Sequence, residues 1–518
     1  MPKQQTDYLI NLIKSLTKAE KRHFKLFVSR NQSSEELLFI QLFDLIDKQK
    51  GYDEVLILHK IPGIKKQQLS NLKAHLYKQL LLSLRLLHRN QNPDIELRER
   101  VDYARVLYNK GLYRQSLEIL DKTKQKARQC RKYTLCLEIL DFEKHIEAQY
   151  ITRSIDTRAD ELTKDAELLS RKVNGANQFS NLSLHLYSLY LKLGYVRNEK
   201  DYYFIREYFI SNLPEHRIQE LGFYEKLYLF QAYCWYFFMI HDFLHYYKYT
   251  QKWVNLFHKD EQMMRLETPL YLKGLHNLLT SLFMLWHYSR FMEVLNELEG
   301  FAANKKFHIN TNVESVTYLY LYIHRINRHS IEGTFSEGLA LVAPLMQIIR
   351  KNTYNWDEHR IMVFYYKIAC MYFGSGDNEN AIVYLNKIIN QRNSNIREDI
   401  QCFARILCLI AHFELGNENL IEYQVKSVYR FLTKMEDLHQ AQQEILKFLR
   451  RLPRVQPADL KMAFTRLHQK LERLRSAPYE KRPFLYLDII SWLESKIEGR
   501  SVQEVIHSKF REERKPLD

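Results

Sequence analysis

The chain has 518 residues, and its 77 Lys and Arg outnumber its 61 Asp and Glu to give a formal net charge of +16. Six cysteines are too few for a disulfide framework in so long a chain, and no CxxC pair is present to hold zinc. No segment approaches the roughly 18 unbroken apolar residues of a membrane span and the N-terminus lacks a signal-peptide core, which predicts a cytoplasmic protein without a membrane partner.

Glycine and proline are scarce, with 14 and 11 residues, about half the usual frequency of each. Both residues destabilise helix interiors, so their scarcity favours long helices joined by short turns. The 35 Tyr and 28 Phe stand at helical spacing beside Leu and Ile, which indicates that they fill the space between packed helices. The predicted fold class is all-α.

Residues 1–92 predict a basic N-terminal helical domain, with 16 Lys and Arg against 8 Asp and Glu. Thr17 and Glu20 have the spacing of a capping box, in which two side chains satisfy N–H groups at a helix start. A short helix over about residues 53–60 is followed by a Pro-Gly turn and a long helix over about residues 65–88. Pro93 ends the domain because proline disfavours helix at the preceding residue.

The two helices around this Pro-Gly turn have the outline of a helix-turn-helix DNA reader. The second helix carries residue types that can contact phosphates and base edges, namely Lys65, Lys66, Gln67, Asn71, Lys73 and Lys78. These six are the candidate residues for binding an anionic partner. The alternative is that they coat an ordinary solvated helix face in a structural or protein-docking domain.

Residues 93–450 contain seven helix–turn–helix units. Their turns lie at Gly111, near Asn198, and at Asp242, Ser289, Gly333, Gly376 and Gly416. A small residue follows three of the glycines by five positions: Ser116, Gly338 and Ala381. The spacing between turns drifts from 48 residues (Phe243 to Phe291) to 40 (Gly376 to Gly416). Because a helix pair has an apolar face that it cannot bury alone, we expect neighbouring pairs to stack.

Two of these units carry the pattern of a known repeat family, with small residues, aromatics and a glycine at matching positions. The repeat at the Gly111 turn has Ala104, Tyr108, Gly111, Tyr113 and Ser116. The repeat at the Gly376 turn has Ala369, Tyr372, Gly376 and Ala381. On these residues the array resembles the tetratricopeptide-repeat family, although its repeat is longer than 34 residues and mostly lacks the closing proline. The resemblance implies an α-solenoid, a superhelix whose concave face holds peptides or protein surfaces and has no activity of its own.

Residues 451–518 predict C-terminal capping helices and a polar tail. Prolines bracket a helix over about residues 458–475, and another helix covers about residues 484–498. A solenoid needs its last repeat covered, which is the role that we expect for these helices. This segment holds 15 Lys and Arg against 10 Asp and Glu, so positive charge is concentrated at both ends of the chain. Such a distribution suits an anionic partner, or reflects solvated helix faces.

His241 and His245 stand four residues apart with Asp242 between them, the spacing by which zinc hydrolases present two imidazoles and a general base. The pair falls at a predicted helix corner, where Asp242 more simply caps the following helix. His324 and His329 flank two arginines, which predicts a solvated basic patch. No cofactor, metal site or catalytic motif is predicted, and we expect the protein not to be an enzyme.

Two functional hypotheses follow. The first is a non-catalytic scaffold or adaptor that binds a peptide or protein partner in the concave face of the helical array. The second is a regulator whose basic head binds nucleic acid while the array senses a partner. The two differ in salt dependence, because phosphate contacts weaken steeply as salt rises.

Overall fold

The computed structural model describes residues 3–29, 34–49, 51–61, 66–90, 92–149, 157–304, 310–391, 398–434, 439–452, 455–477, 479–480, 484 and 488–513. All regular secondary structure within these ranges is helical, which confirms the predicted all-α class. No helix in the same ranges combines the length and the hydropathy needed to cross a bilayer. The internal contacts divide the chain into two units, Met1–Arg171 and Lys172–Asp518.

The first unit contains helices α1 to α8 and the start of α9. Their bounds are α1 Lys3–Ser15, α2 Lys18–Val28, α3 Ser34–Lys48, α4 Glu54–Lys60, α5 Lys66–His88, α6 Pro93–Asn109, α7 Tyr113–Gln129, α8 Tyr133–Gln149 and α9 Arg158–Leu193. The long helix α5 packs on α1, α2 and α3 around fully buried Ile13, Phe43 and Leu76. The predicted capping box is confirmed, since the Glu20 N–H donates to Thr17 Oγ1 at 3.2 Å and the Thr17 N–H donates to Glu20 Oε2 at 2.7 Å.

The second unit contains the rest of α9 and seventeen further α-helices within the described residues. Their bounds are α10 Glu199–Asn212, α11 Phe223–Met239, α12 Phe243–His258, α13 Glu261–Leu266, α14 Thr268–Met284, α15 Tyr288–Ala303, α16 Thr311–Glu332, α17 Phe335–Gly338, α18 Val342–Arg350, α19 Glu358–Ser375, α20 Asn378–Ile389, α21 Glu398–Glu414, α22 Glu418–Lys434, α23 Gln440–Arg451, α24 Leu460–Arg475, α25 Ile489–Glu498 and α26 Val502–Glu513.

Six of the seven predicted turns lie between consecutive helices, whereas Ser289 already belongs to the first turn of α15 and that corner lies at Trp286 instead. Six of the seven corners share one hydrogen-bonded closure, in which a residue with positive φ is followed by an N–H that donates to the carbonyl five residues earlier. The residues with positive φ are Gly111, His241, Trp286, Gly333, Gly376 and Gly416. This closure satisfies the last carbonyls of the first helix and favours glycine, which lacks a Cβ. His241 and Trp286 adopt the same left-handed conformation although they carry a Cβ, so their corners have no glycine in the sequence.

Successive helices of the second unit pack on one another along the chain. Helix α12 packs on α11 and α14, α15 packs on α14 and α16, and α20 packs on α19 and α21. Contacts also reach beyond neighbouring helices: α16 contacts α14 and α19, and α19 contacts α21. Small residues stand at close approaches: Ala381 is fully buried, and at Gly338 a Cβ would lie 2.9 Å from the His329 ring.

The C-terminal helix α26 occupies a segment for which the sequence predicts a polar tail. Val502, Ile506 and Phe510 recur every four residues and give this helix an apolar face. It packs on the preceding helix α25 and also on the distant helices α16 and α19. His507 Nδ1 lies 2.8 Å from the Glu332 carbonyl oxygen, and the Ser336 N–H donates to Gln503 Oε1 at 2.8 Å. The chain therefore returns across about 170 residues of sequence to cover the Gly333 corner.

Candidate functional site

Four of the six head residues proposed to bind an anionic partner are exposed on α5: Lys66, Gln67, Asn71 and Lys78. Gln67, Asn71 and Lys78 follow one another at steps of four and seven, so they share one face of the helix. Lys65 lies outside the described residues.

Lys73 is a correction to the predicted exposed set, because it is only 4% exposed. Its Nζ donates to the Tyr52 hydroxyl at 2.8 Å and to Glu54 Oε2 at 3.2 Å. Burial acts to raise the pKa of Glu54, but the Lys73 ammonium and the Tyr52 hydroxyl outweigh it and hold that pKa below its usual value. Lys73 therefore joins α5 to α4 inside the head, and its side chain is not presented to a partner.

At the α11–α12 corner, where the sequence places His241 and His245, Asp242 is the N-cap of α12. Asp242 accepts the His245 N–H at 3.1 Å, and its second carboxylate oxygen lies 2.8 Å from His245 Nδ1. His241 is buried and stacks on the Tyr195 ring at a centroid distance of 4.5 Å. Nowhere in the described ranges do three His, Cys, Asp or Glu side chains converge in a group that could hold a metal ion.

His324, predicted to belong to a solvated patch, is completely buried instead. It lies at the centre of a group of side chains from α9, α11, α14, α16 and α19 that we call the cation–aromatic cluster. Its members are Tyr187, Trp235, Lys273, His276, Tyr320, His324, Asn327 and Lys367. Sequence reasoning missed this cluster because its members are spread over about 180 residues.

Helix α14 supplies two polar members of the cluster from an otherwise apolar sequence. Leu272, Leu275 and Leu279 are fully buried and hold one side of the helix in the core. Lys273 and His276, three residues apart, point together from the other side and are half-buried. The one sequence signal for the site is this Lys-x-x-His spacing within a leucine-rich helix.

Lys273 lies against aromatic rings instead of a carboxylate. Its Nζ is 5.8 Å from the Trp235 ring centroid and 5.9 Å from that of Tyr187, and these two rings are 4.8 Å apart. None of the described Asp or Glu residues forms an ion pair with it. Burial lowers the pKa of the Lys273 ammonium, while the Cys234 thiol acts in the opposite direction. The site thus holds a partly desolvated cation that no described carboxylate neutralises.

A chain of hydrogen bonds leads from Lys367 to His276. Lys367 Nζ donates to Asn327 Oδ1 at 2.5 Å, Asn327 Nδ2 lies 3.3 Å from His324 Nδ1, and His324 Nε2 lies 2.9 Å from His276 Nδ1. An ammonium can only donate, so it fixes the oxygen of the Asn327 amide toward itself and the NH₂ toward His324. Each later bond then runs in the same direction, and the proton of His276 is placed on Nε2.

Both imidazoles of this chain are neutral at physiological pH. Burial, together with the nearby Lys273 and Lys367 charges, lowers the pKa of His276 to about 3. Burial also takes the pKa of His324 well below its usual value, and the adjacent His276 and Lys367 lower it further. The His276 ring stacks on Tyr320 with centroids 4.2 Å apart and planes 9° from parallel. The cluster therefore presents an ammonium and a neutral, oriented N–H donor between aromatic walls.

Two surface clefts lie elsewhere in the described structure, and each includes an arginine that pairs with an acidic side chain. One, of about 520 Å³, lies at the Trp286 corner and includes Arg290, which pairs with Glu293. The other, of about 340 Å³, lies in the first unit and includes Arg85, whose guanidinium is 3.4 Å from Asp102. The cation–aromatic cluster differs from both because it combines a partly desolvated lysine, without an acidic partner among the described residues, with a hydrogen-bonded imidazole chain, and it is the candidate site for that reason.

No family model, no curated protein and no solved structure matches this chain. Function is therefore inferred from the geometry of the described residues.

Proposed function

We propose that the chain is a non-catalytic adaptor that binds a peptide or protein partner at the cation–aromatic cluster. In this proposal the helix pairs of the second unit stack as a tetratricopeptide-like superhelix, and α11, α14, α16 and α19 line its binding face. The contacts between successive pairs, and between α16 and both α14 and α19, support the stacking. The cluster draws its side chains from these same helices, which supports the location.

The observation that carries the proposal is the state of Lys273. Removing an ammonium from water is unfavourable unless an anion or hydrogen bonds replace the lost hydration. Two aromatic rings compensate in part, since a cation–π contact contributes about 0.5–2 kcal/mol. A partner that brings an acidic group would complete the compensation, so the free protein is arranged for a ligand that it does not itself contain.

The test compares two lysine substitutions in the second unit. Lys273→Met removes the ammonium and keeps most of the apolar stem, whereas Lys248→Met removes an exposed lysine of α12 as a control. The full chain and both variants are used to recover proteins from nuclease-treated lysate at moderate salt, and the recovered proteins are quantified by mass spectrometry. We expect a defined protein that is retained by the control and lost with Lys273→Met. Equal recovery by both variants would refute the proposed site.

A second candidate function, nucleic-acid binding through the head, is favoured by one observation on α5. Lys66 and Lys78 are exposed, and neither forms an ion pair with a described residue. Their charges are therefore available to phosphates. Fluorescence anisotropy with a labelled DNA duplex at two salt concentrations tests this function, comparing the wild type with a Lys66→Glu/Lys78→Glu double variant. Affinity that falls with salt and is lost in the variant supports it, and unchanged affinity excludes α5 as the contact.

A further inference from the structure

We propose that the cation–aromatic cluster recognises a carboxylate of an acidic segment in its partner, bound between Lys273 Nζ and His276 Nε2–H. In this arrangement Lys367, Asn327 and His324 are positioning residues, which keep the proton of His276 on the nitrogen that faces the ligand. The inference rests on the proposed function and adds the chemistry of the recognised group.

The donors offered by the cluster match a carboxylate in number and charge. Lys273 contributes one positive charge, and His276 contributes one neutral N–H from the same helix face three residues away. A carboxylate has two oxygens and a single negative charge, so each oxygen receives one donor and the charges cancel. A phosphate monoester brings nearly two charges and three oxygens, which is more than these two groups can satisfy. Lys367 donates one of its three N–H groups to Asn327 and lies at the end of the chain of hydrogen bonds opposite His276.

The direction of that chain is what makes His276 a donor. If the amide of Asn327 were not held by Lys367, His324 could exchange its two tautomers and His276 would become an acceptor for part of the time. An accepting nitrogen beside Lys273 would repel a carboxylate oxygen. The buried residues Asn327 and His324, which cannot touch the ligand, therefore set the affinity through the tautomer of His276.

Binding is measured by fluorescence anisotropy at physiological salt with three labelled probes of equal length. These are an oligoglutamate peptide, an oligoglutamine peptide and an oligodeoxythymidylate. We expect oligoglutamate to bind the full-length protein most tightly, and Lys273→Met to weaken it by about tenfold or more, as for a charge-assisted hydrogen bond. The Lys248→Met control should leave the affinity unchanged. Tighter binding of oligodeoxythymidylate, equal binding of the two peptides or an equal loss in the control would each overturn the inference.

The positioning role has its own readout. Nitrogen NMR shifts of isotope-labelled histidine report which imidazole nitrogen carries the proton. We expect protonation of His276 on Nε2 in the wild type, mixed tautomers in Asn327→Leu, and an affinity for oligoglutamate that falls with the Nε2–H population. Lys367→Met provides a second variant with the same expected tautomer change if Asn327→Leu does not fold. An unchanged tautomer, or a changed tautomer with unchanged affinity, would contradict this role.

Failure of the carboxylate inference and failure of the proposed function give different results. If Lys273→Met loses its lysate partner but oligoglutamate does not bind preferentially, the adaptor function stands and the carboxylate inference is wrong. If Lys273→Met retains every partner, the proposed site itself is wrong.

Discussion

Gly333 permits the C-terminal helix α26 to dock, and substitution by alanine is expected to release it. Gly333 has φ of +64°, and a Cβ at this position would lie 2.6 Å from the His507 backbone nitrogen and 2.9 Å from the Gln503 carbonyl oxygen. The left-handed conformation costs an alanine about 1 kcal/mol, and an overpacked contact costs about 1–3 kcal/mol more. Backbone atoms of α26 cannot move aside as a flexible side chain can, so Gly333→Ala should weaken the docking of α26 by about 1–3 kcal/mol, in addition to the conformational cost that it shares with the control below.

Gly376→Ala is the matched control, because Gly376 has φ of +89° at an equivalent corner and a Cβ there would meet no described atom within 4 Å. Only the conformational cost of about 1 kcal/mol applies there. Amide hydrogen exchange measures the local opening of α26 directly. We expect faster exchange around Ile506 in Gly333→Ala and wild-type exchange there in Gly376→Ala. The same exchange rates in both variants would refute the argument that close approach at Gly333 governs the docking of α26.

Three further predictions concern buried ionisable groups. Lys73→Glu should unfold the head because it places a second negative charge in a buried site, at a cost of about 3–5 kcal/mol, whereas Lys78→Glu at an exposed position of the same helix should change the free energy of unfolding by less than about 0.5 kcal/mol in urea titrations. Lys124→Met should destabilise the first unit by about 1.5–3 kcal/mol in the same assay, because it removes the ammonium that contacts the fully buried carboxylate of Glu143 and leaves Arg158 at 3.6 Å as the remaining cation. His276, whose pKa is lowered to about 3, stabilises the fold above pH 6.5 and loses that contribution as pH falls toward 3, because the unfolded chain takes up the proton first. An NMR titration should therefore find His276 neutral at pH 5, and a charged ring there would contradict its burial.

The helices and their corners could be predicted from the sequence because they depend on neighbours within a few residues. The closure at Gly376 needs a left-handed residue and one N–H five residues from its acceptor, so the local sequence specifies it. Asp242 likewise caps the helix that begins one residue later. The corners at Trp286 and His241 are recognisable from the aromatic and acidic residues beside them, although the usual glycine is missing.

Burial of individual polar residues was decided only by the tertiary structure. Lys73 stands at the edge of a polar face in the sequence, but Glu54 at the start of α4 and Tyr52 just before that helix cover it. His324 stands next to an arginine, yet the packing of α16 on α14 removes it completely from solvent and brings it to His276, 48 residues earlier. Helical periodicity identifies the faces of one helix, but it does not say which faces of distant helices meet. The sequence by itself therefore determined the all-α class and the corners, while packing between distant helices assembled the cation–aromatic cluster and placed α26 on the Gly333 corner.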